Sequence, residues 1–175
     1  MASSKVAEFC QRMVSDLRKN ARTIRVGFVS FKQADDETCW MPLTYDHPSV
    51  CRTLGDGRFS NGSGNVSDGL IKVFDQMTFR TGVRRIALLI SDQGTFEDTA
   101  KSDLAVQIAA RMPVELKTRL FATYNPRNSA SKRAMAEKTA RAARGEMLPM
   151  DIMAGGFPFP SVPDWVDLWL APLPE

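Results

Sequence analysis

The hydrophobic and polar positions of the chain follow two periods, and their order predicts a series of helices and strands. Apolar residues three or four positions apart predict amphipathic helices, and short continuous apolar runs predict buried strands. The predicted helices cover residues 4–19, 48–54, 66–77, 99–112 and 131–145, and Gly145 is the predicted stop signal of the last one. The predicted strands cover residues 24–31, 39–45, 84–91, 117–124 and 150–154.

The spacing of these elements predicts the fold class. The first two strands are separated only by a short acidic turn, so they form an antiparallel pair, and Pro42 places the second of them at a sheet edge. The later strands alternate with helices, as in parallel sheets. We therefore predict an α/β fold of the doubly wound, Rossmann-like kind, with a mostly parallel sheet, one antiparallel edge strand and helices on both faces. No repeat or linker divides the chain, so residues 1–175 are predicted to form a single domain with a core at 1–154.

The carboxyl-terminal segment, residues 155–175, combines many prolines with two tryptophans. Its residues Trp165 to Leu170 are too apolar for a solvated tail. Pro163 suits the first position of a short closing helix, so we predict that this segment packs on the sheet. An aromatic docking surface for a partner is the alternative if the tryptophans are exposed.

Charge and cysteine content limit the class of protein only weakly. The chain has 23 basic and 20 acidic residues, a balance too even to require nucleic acid or a membrane as a partner. Its 3 cysteines have no CxxC spacing, which favours reduced thiols over a disulfide framework or a zinc site. No apolar run is long enough to span a bilayer, and the amino terminus lacks a signal-peptide core. These features predict a cytoplasmic protein.

The candidate binding site is the rim, by which we mean the loops at the carboxyl ends of the strands, where doubly wound sheets hold their ligands. Asp92 follows directly after RRIALLIS, which we predict to be the most buried strand, and the loop 61–68 precedes a helix. Oxygen ligands from Asp, Ser and Asn suit a hard cation such as Mg²⁺ or Mn²⁺. The candidate partner-binding residues are Ser63, Asn65, Asp68, Asp92, Gln93 and Thr95, and the candidate metal ligands among them are Asp92, Ser63 and Asn65.

Three stretches of the sequence, IRVGFVSF, GSGNVSDGLIKVFDQM and RRIALLISDQG, resemble strands and a glycine-rich loop of von Willebrand factor type A (VWA) domains. The resemblance extends to about Ala154. It implies a metal-ion-dependent adhesion site, built in that family from an Asp-x-Ser-x-Ser loop, a Thr and an Asp. Asp92 matches the position of that Asp. The position of the Thr corresponds to Gly64, which has no side chain to offer.

The family's first strand and its Asp-x-Ser-x-Ser loop have no counterpart in this chain, whose residues 4–19 resemble the helix that follows them. The resemblance therefore implies either a truncated chain or a divergent member of the family. In a sheet without that strand, ladder groups on both neighbours would lack partners. Either another segment, such as the tryptophan-rich one or a partner chain, fills the gap, or the two neighbouring strands pair directly.

The functional prediction is a non-catalytic module that binds a protein partner at the rim, with a metal assisting only if the missing motif is supplied. Asp92 also suits an ordinary turn role, accepting backbone N–H groups. One alternative is a small Mg²⁺-dependent phosphoryl-handling enzyme that uses Asp92 and Asp35. It ranks lower, since the single histidine, His47, lies in a loop and no nucleophile and base pair is evident. A further alternative is nucleic-acid binding through the basic helix 131–145.

Overall fold

A computed structural model describes residues 3–20, 23–30, 40–56, 65–90, 99–124 and 130–151, and it shows a mixed α/β fold. Its elements are α1 (Ser3–Asn20), β1 (Val26–Val29), β2 (Trp40–Thr44), α2 (His47–Gly55), α3 (Val66–Gln76), β3 (Arg85–Leu89), α4 (Thr99–Arg111), β4 (Thr118–Tyr124), α5 (Ala130–Ala142) and β5 (Met147–Asp151). The predicted order of helices and strands is confirmed. Element bounds shift by at most three residues; β5, for example, begins three residues earlier than predicted, and a π-helical turn, Met112–Leu116, follows α4.

The carboxyl half, residues 65–151, contains a three-stranded parallel sheet in the order β3-β4-β5. Strands β3 and β4 pair in a continuous register from Arg85 opposite Thr118 to Leu89 opposite Ala122. The middle strand, β4, is the most buried of the described strands, because α5 packs against it and both of its edges are paired. The sequence predicted β3 as the most buried strand. That prediction is wrong, since only Leu89 of β3 is buried.

The end of α5 shows why a glycine is needed at position 145. The sequence predicts a glycine stop signal there, but the left-handed residue that ends the helix is Arg144, with φ of 56°. Gly145 donates its N–H to the Ala140 carbonyl at 2.9 Å. An ideal Cβ at Gly145 would lie 1.9 Å from the Leu120 carbonyl oxygen of β4. Glycine is therefore required for close approach of two backbones.

The amino half, residues 3–56, contains a two-stranded antiparallel ribbon, as predicted for the first two strands. Its register places Val26 opposite Thr44 and Phe28 opposite Met41, with an irregularity between these pairs. The ribbon is small, and its strands are mainly half-buried or exposed. The buried core of this half is formed instead by α1 and α2, through Val6, Ala7, Cys10, Val14, Val50, Cys51 and Leu54.

The ribbon and the parallel sheet are separate sheets in the described part of the chain. The predicted single doubly wound sheet is therefore observed only as a three-stranded parallel sheet with helices packed against it. The sequence predicts either a replacement segment or direct pairing where the family's first strand is missing. In the described residues β1 and β3 do not pair with each other. The halves still touch, because Ile90, which follows β3, packs against the α1–α2 core. Within the described residues, no helix is both long enough and apolar enough to cross a membrane.

Candidate functional site

The described part of the candidate site is the amino-terminal turn of α3. Asn65 precedes the helix with extended backbone angles, φ −96° and ψ 128°, which is the usual geometry of an N-cap. Its side chain makes no capping bond to the helix backbone. Instead, Asn65 Nδ2 donates to Asp68 Oδ2 at 3.1 Å. An acidic side chain in a first turn is also stabilised by the helix dipole, so Asp68 suits this position.

Ser67 lies between these two residues in a different environment. Its side chain is 1% exposed, and its hydroxyl has no hydrogen-bond partner. Asn65 and Asp68 are half-buried, so their polar atoms stay partly accessible to solvent. The arrangement can therefore donate and accept hydrogen bonds at the surface through Asn65 and Asp68, whereas Ser67 is enclosed.

Topology places this turn at the rim. Helix α3 leads into β3 through the short segment 77–84 and runs back along the sheet, so its first turn lies at the end where β3 finishes. Val66, in that turn, and Leu89, at the end of β3, belong to one buried core. Buried Thr123, the last residue but one of β4, lies on the same side and donates its hydroxyl to the Leu89 carbonyl at 3.3 Å. Asn65 and Asp68 are thus at the predicted end of the sheet.

The other predicted site residues are Ser63, Asp92, Gln93 and Thr95, and they lie outside the described residues, as does Asp35 of the enzyme alternative. Their roles stay predictions. Among the residues that are described, no group of three or more His, Cys, Asp or Glu side chains is arranged to hold a metal ion. Mg²⁺ prefers near-octahedral oxygen coordination. The described turn offers it one carboxylate, already engaged by Asn65, and so does not by itself fit such an ion.

The histidine and the two described cysteines make contacts that hold the fold together. His47 Nε2 lies 2.8 Å from the Ile24 carbonyl oxygen and links α2 to the segment before β1. Cys10 and Cys51 are free and buried in the core between α1 and α2. Burial and the neighbouring Cys51 raise the pKa of the Cys10 thiol to about 12. A thiol that resists ionisation is a poor nucleophile, so neither the geometry nor the electrostatics favours cysteine chemistry here.

The basic helix 131–145, which the sequence suggests as an alternative nucleic-acid site, corresponds to α5, where at least two cations form ion pairs. Lys138 Nζ lies 3.6 Å from Asp103 Oδ1, and Arg141 Nη2 lies 2.5 Å from Glu137 Oε1. Exposed pairs of this kind contribute little stability, but they reduce the positive charge that a polyanion would meet. The structure therefore gives α5 less cationic surface than its sequence suggests.

A second group of cations, missed by sequence reasoning, lies at the opposite end of the sheet from the rim. We call Arg25, Arg80, Arg84, Arg85 and Lys117 the basic cluster. Strands β1, β3 and β4 each begin beside one of its members, because Arg25 precedes β1, Arg85 begins β3 and Lys117 precedes β4. The sequence signal was the short run RTGVRR, with three arginines around a turn. The pairing of Arg85 with Thr118 brings in Lys117 from a distant part of the chain.

Comparison with known proteins gives structural neighbours only. No protein-family model matches the chain, and no curated protein matches its sequence. One solved structure, an aerotolerance-related membrane protein from Bacteroides fragilis NCTC 9343 with multiple mutations to serines, aligns with a TM-score of 0.59 and 17% identity, over 83% of this chain and 81% of that chain. Another, the conserved hypothetical protein BatB from Bacteroides thetaiotaomicron, aligns with a TM-score of 0.56 and 17% identity, over 81% of this chain and 78% of that chain.

The chain is similar in fold to both proteins. The alignments extend over most of each chain, so the likeness concerns the whole α/β arrangement and not a single βαβ unit. At this identity the likeness concerns the fold alone.

Proposed function

We propose that the protein is a VWA-like, non-catalytic interaction module that binds a protein partner at the rim. The observation that carries this proposal is the pair Asn65 and Asp68, hydrogen-bonded to each other and half-buried at the end of the sheet where such folds hold ligands. The sequence resemblance to VWA domains and the fold likeness to the two solved structures are consistent with it.

The chemistry of the pair favours binding over catalysis. Asp68 supplies a fixed carboxylate, and Asn65 supplies an amide that orients it. The two described thiols, Cys10 and Cys51, lie in the core of the amino half and not in this turn, and burial shifts them toward the neutral, poorly nucleophilic form. We therefore propose that the rim recognises donors on a partner through Asp68, with Ser63, Asp92, Gln93 and Thr95 as further contacts.

Site-specific photocrosslinking in the native host tests this proposal. A photoreactive amino acid replaces Asp68 in one variant and Glu137, on α5, in the matched control. The expected result is a defined adduct to one protein from position 68 and not from position 137. The identified partner is then purified, and its affinity should fall at least about tenfold for Asp68→Ala, in the range of interface residues that dominate binding. Equal adducts from positions 68 and 137 would reject the rim as the binding surface. So would equal affinities of the partner for the wild type and for Asp68→Ala.

The metal question is settled separately by calorimetry. MgCl₂ or MnCl₂ is titrated into the wild type and into Asp92→Asn. Heat from the wild type alone supports a metal-assisted rim, and flat traces from both leave Asp92 with the ordinary turn role. Either outcome is compatible with partner binding through Asp68, so this experiment decides the role of the metal and not the interaction itself.

A further inference from the structure

The basic cluster stands out because none of the described carboxylates forms an ion pair with it. Several of the other arginines in the described residues are paired, for example Arg12 with Glu8 and Arg111 with Glu115. Within the described part of the chain, no carboxylate lies within ion-pair distance of Arg25, Arg80, Arg84, Arg85 or Lys117. Among the described residues, the positive charge of the basic cluster is therefore not neutralised by ion pairs.

Backbone contacts hold the cluster in place instead of ion pairs. Arg85 Nη1 donates to the Leu116 carbonyl at 2.6 Å, and its Nη2 donates to the Arg80 carbonyl. Arg25 Nη2 donates to the Thr78 carbonyl at 2.8 Å. These bonds fix the segment 77–84 between the beginnings of β1, β3 and β4. The side chains of Arg25 and Arg85 and the backbone around Arg80 are thus held in place, which limits the entropy lost when a ligand binds.

Two aromatic rings lie beside arginines of the basic cluster. The Arg80 guanidinium lies 5.6 Å from the centroid of the Tyr45 ring, and that of Arg85 lies 5.3 Å from the centroid of Phe79. Tyr45 is 53% exposed, although it is a large aromatic residue. Arg80 and Arg84 are exposed as well. Exposed aromatic rings beside arginines form surfaces on which unpaired bases stack while the guanidinium groups meet phosphates.

From this juxtaposition we infer that the basic cluster, together with Tyr45, is a binding surface for single-stranded nucleic acid. Four of its five cations are arginines, whose planar groups both stack and bind phosphate in a bidentate way. An acidic peptide would satisfy the charges but would not use Tyr45. The surface lies at the opposite end of the sheet from the rim, so this inference is independent of the proposed partner site.

Fluorescence anisotropy on the full chain tests the inference. The probe is a labelled oligouridylate about 12 nucleotides long, within the range that one binding site covers. Affinity is measured across a salt series, and a contact with about three phosphates gives a slope of log K against log salt near −2. Arg84→Ala should reduce that slope by about 0.7, and Tyr45→Ala should weaken binding about fivefold or more at every salt concentration.

The controls separate this surface from simple cation attraction. Lys101→Ala removes an exposed cation from α4, and Lys138→Ala removes one from the basic helix α5; both should bind like the wild type. Circular dichroism confirms that each variant is folded. Several results overturn the inference: no binding of the oligonucleotide at low salt, losses from Lys138→Ala equal to those from Arg84→Ala, no effect of Tyr45→Ala, or tighter binding of an oligoglutamate peptide.

Discussion

The two halves of the molecule bury their strands in different ways. In the carboxyl half, β4 is paired on both edges and has Leu120, Phe121 and Ala122 at 2%, 1% and 1% exposure. In the amino half, every residue of β1 is half-buried and the strand is paired on one edge, and the core lies between two helices. A two-stranded ribbon is only marginally stable alone, so it depends on helix packing in a way that the three-stranded sheet does not. The comparison predicts that substitutions in the two halves differ in how much they lower the free energy of unfolding and in how far their effects spread through the molecule.

The largest expected effect comes from Gly145→Ala, in the carboxyl half. The added Cβ would lie 1.9 Å from a backbone atom of the most buried strand, the Leu120 carbonyl oxygen, so β4 or the end of α5 must move. We expect a loss of about 3 kcal/mol or more in the free energy of unfolding, the upper end for overpacking. Urea denaturation followed by circular dichroism measures it.

Gly55→Ala is the matched control. Its Cβ would meet the Ala7 Cβ at 3.6 Å, which is ordinary van der Waals contact, and alanine favours the helical position. We expect a change below about 0.5 kcal/mol, as for most surface substitutions. If the two variants unfold at the same urea concentration, the close packing of Gly145 on β4 is refuted.

Gly27→Ala gives the second largest effect, in the amino half. Its Cβ would lie 2.7 Å from the Met41 carbonyl oxygen and 3.0 Å from the Leu43 nitrogen, so the ribbon must open. We expect a loss of about 1–3 kcal/mol. Because the ribbon pairs with no described strand of the other sheet, hydrogen exchange should rise at residues 26–29 and 40–44 and stay low at residues 118–123. An equal rise in hydrogen exchange in both halves would show that they open as one unit, which would contradict the proposed difference between them.

The difference between the halves also explains which features the sequence predicts. Helices and strands followed from local periodicity, and the hairpin followed from the short distance between its strands. The relative burial of β3 and β4 did not, because RRIALLIS and KTRLFATY are both apolar strands and only long-range pairing puts β4 in the middle. The sequence predicts Gly145 only as a helix stop, because its close contact is with Leu120, a residue distant in sequence.

The residues of the candidate site differ in the same way. The position of Asn65 and Asp68 at the start of α3 was predictable, because the N-cap and the first turn of a helix are local features. The basic cluster was missed because it joins Arg25, the segment 77–84 and Lys117 through backbone bonds and strand register. The apparent charge of α5 was overestimated for the converse reason, since Asp103, which pairs with Lys138, belongs to another helix.

The thiols in the amino-half core give a smaller effect that appears at alkaline pH. The folded pKa of Cys10 is raised from 9.0 to about 12, chiefly by burial. Because the folded pKa is raised, the stabilising contribution is fully present at pH values below the unfolded pKa of 9.0. It is lost as the pH rises from about 9 toward 12. The free energy of unfolding should therefore fall with pH across this window, and Cys10→Ala should flatten the fall. Urea titrations at several pH values measure it, and parallel curves for the two proteins would contradict the predicted thiol contribution.

The smallest effect is expected at Asp46, the exposed N-cap of α2. Its side chain accepts the Ser49 N–H at 3.1 Å, and hydrogen bonds from Ser49 lower the pKa of the Asp46 carboxyl below 3.8. Because the folded pKa is lowered, the stabilising contribution is present at pH values above the pKa of the unfolded state. It is lost as the pH falls through the folded pKa. Asp46→Ala should therefore lower the melting temperature slightly at pH 7, and the difference from wild type should shrink at pH 3. Asp46→Asn keeps a capping acceptor without the charge and should lose less than Asp46→Ala. If Asp46→Ala melts at the wild-type temperature at pH 7, the cap contributes nothing, and the stability of the amino half resides in the contact between α1 and α2 alone.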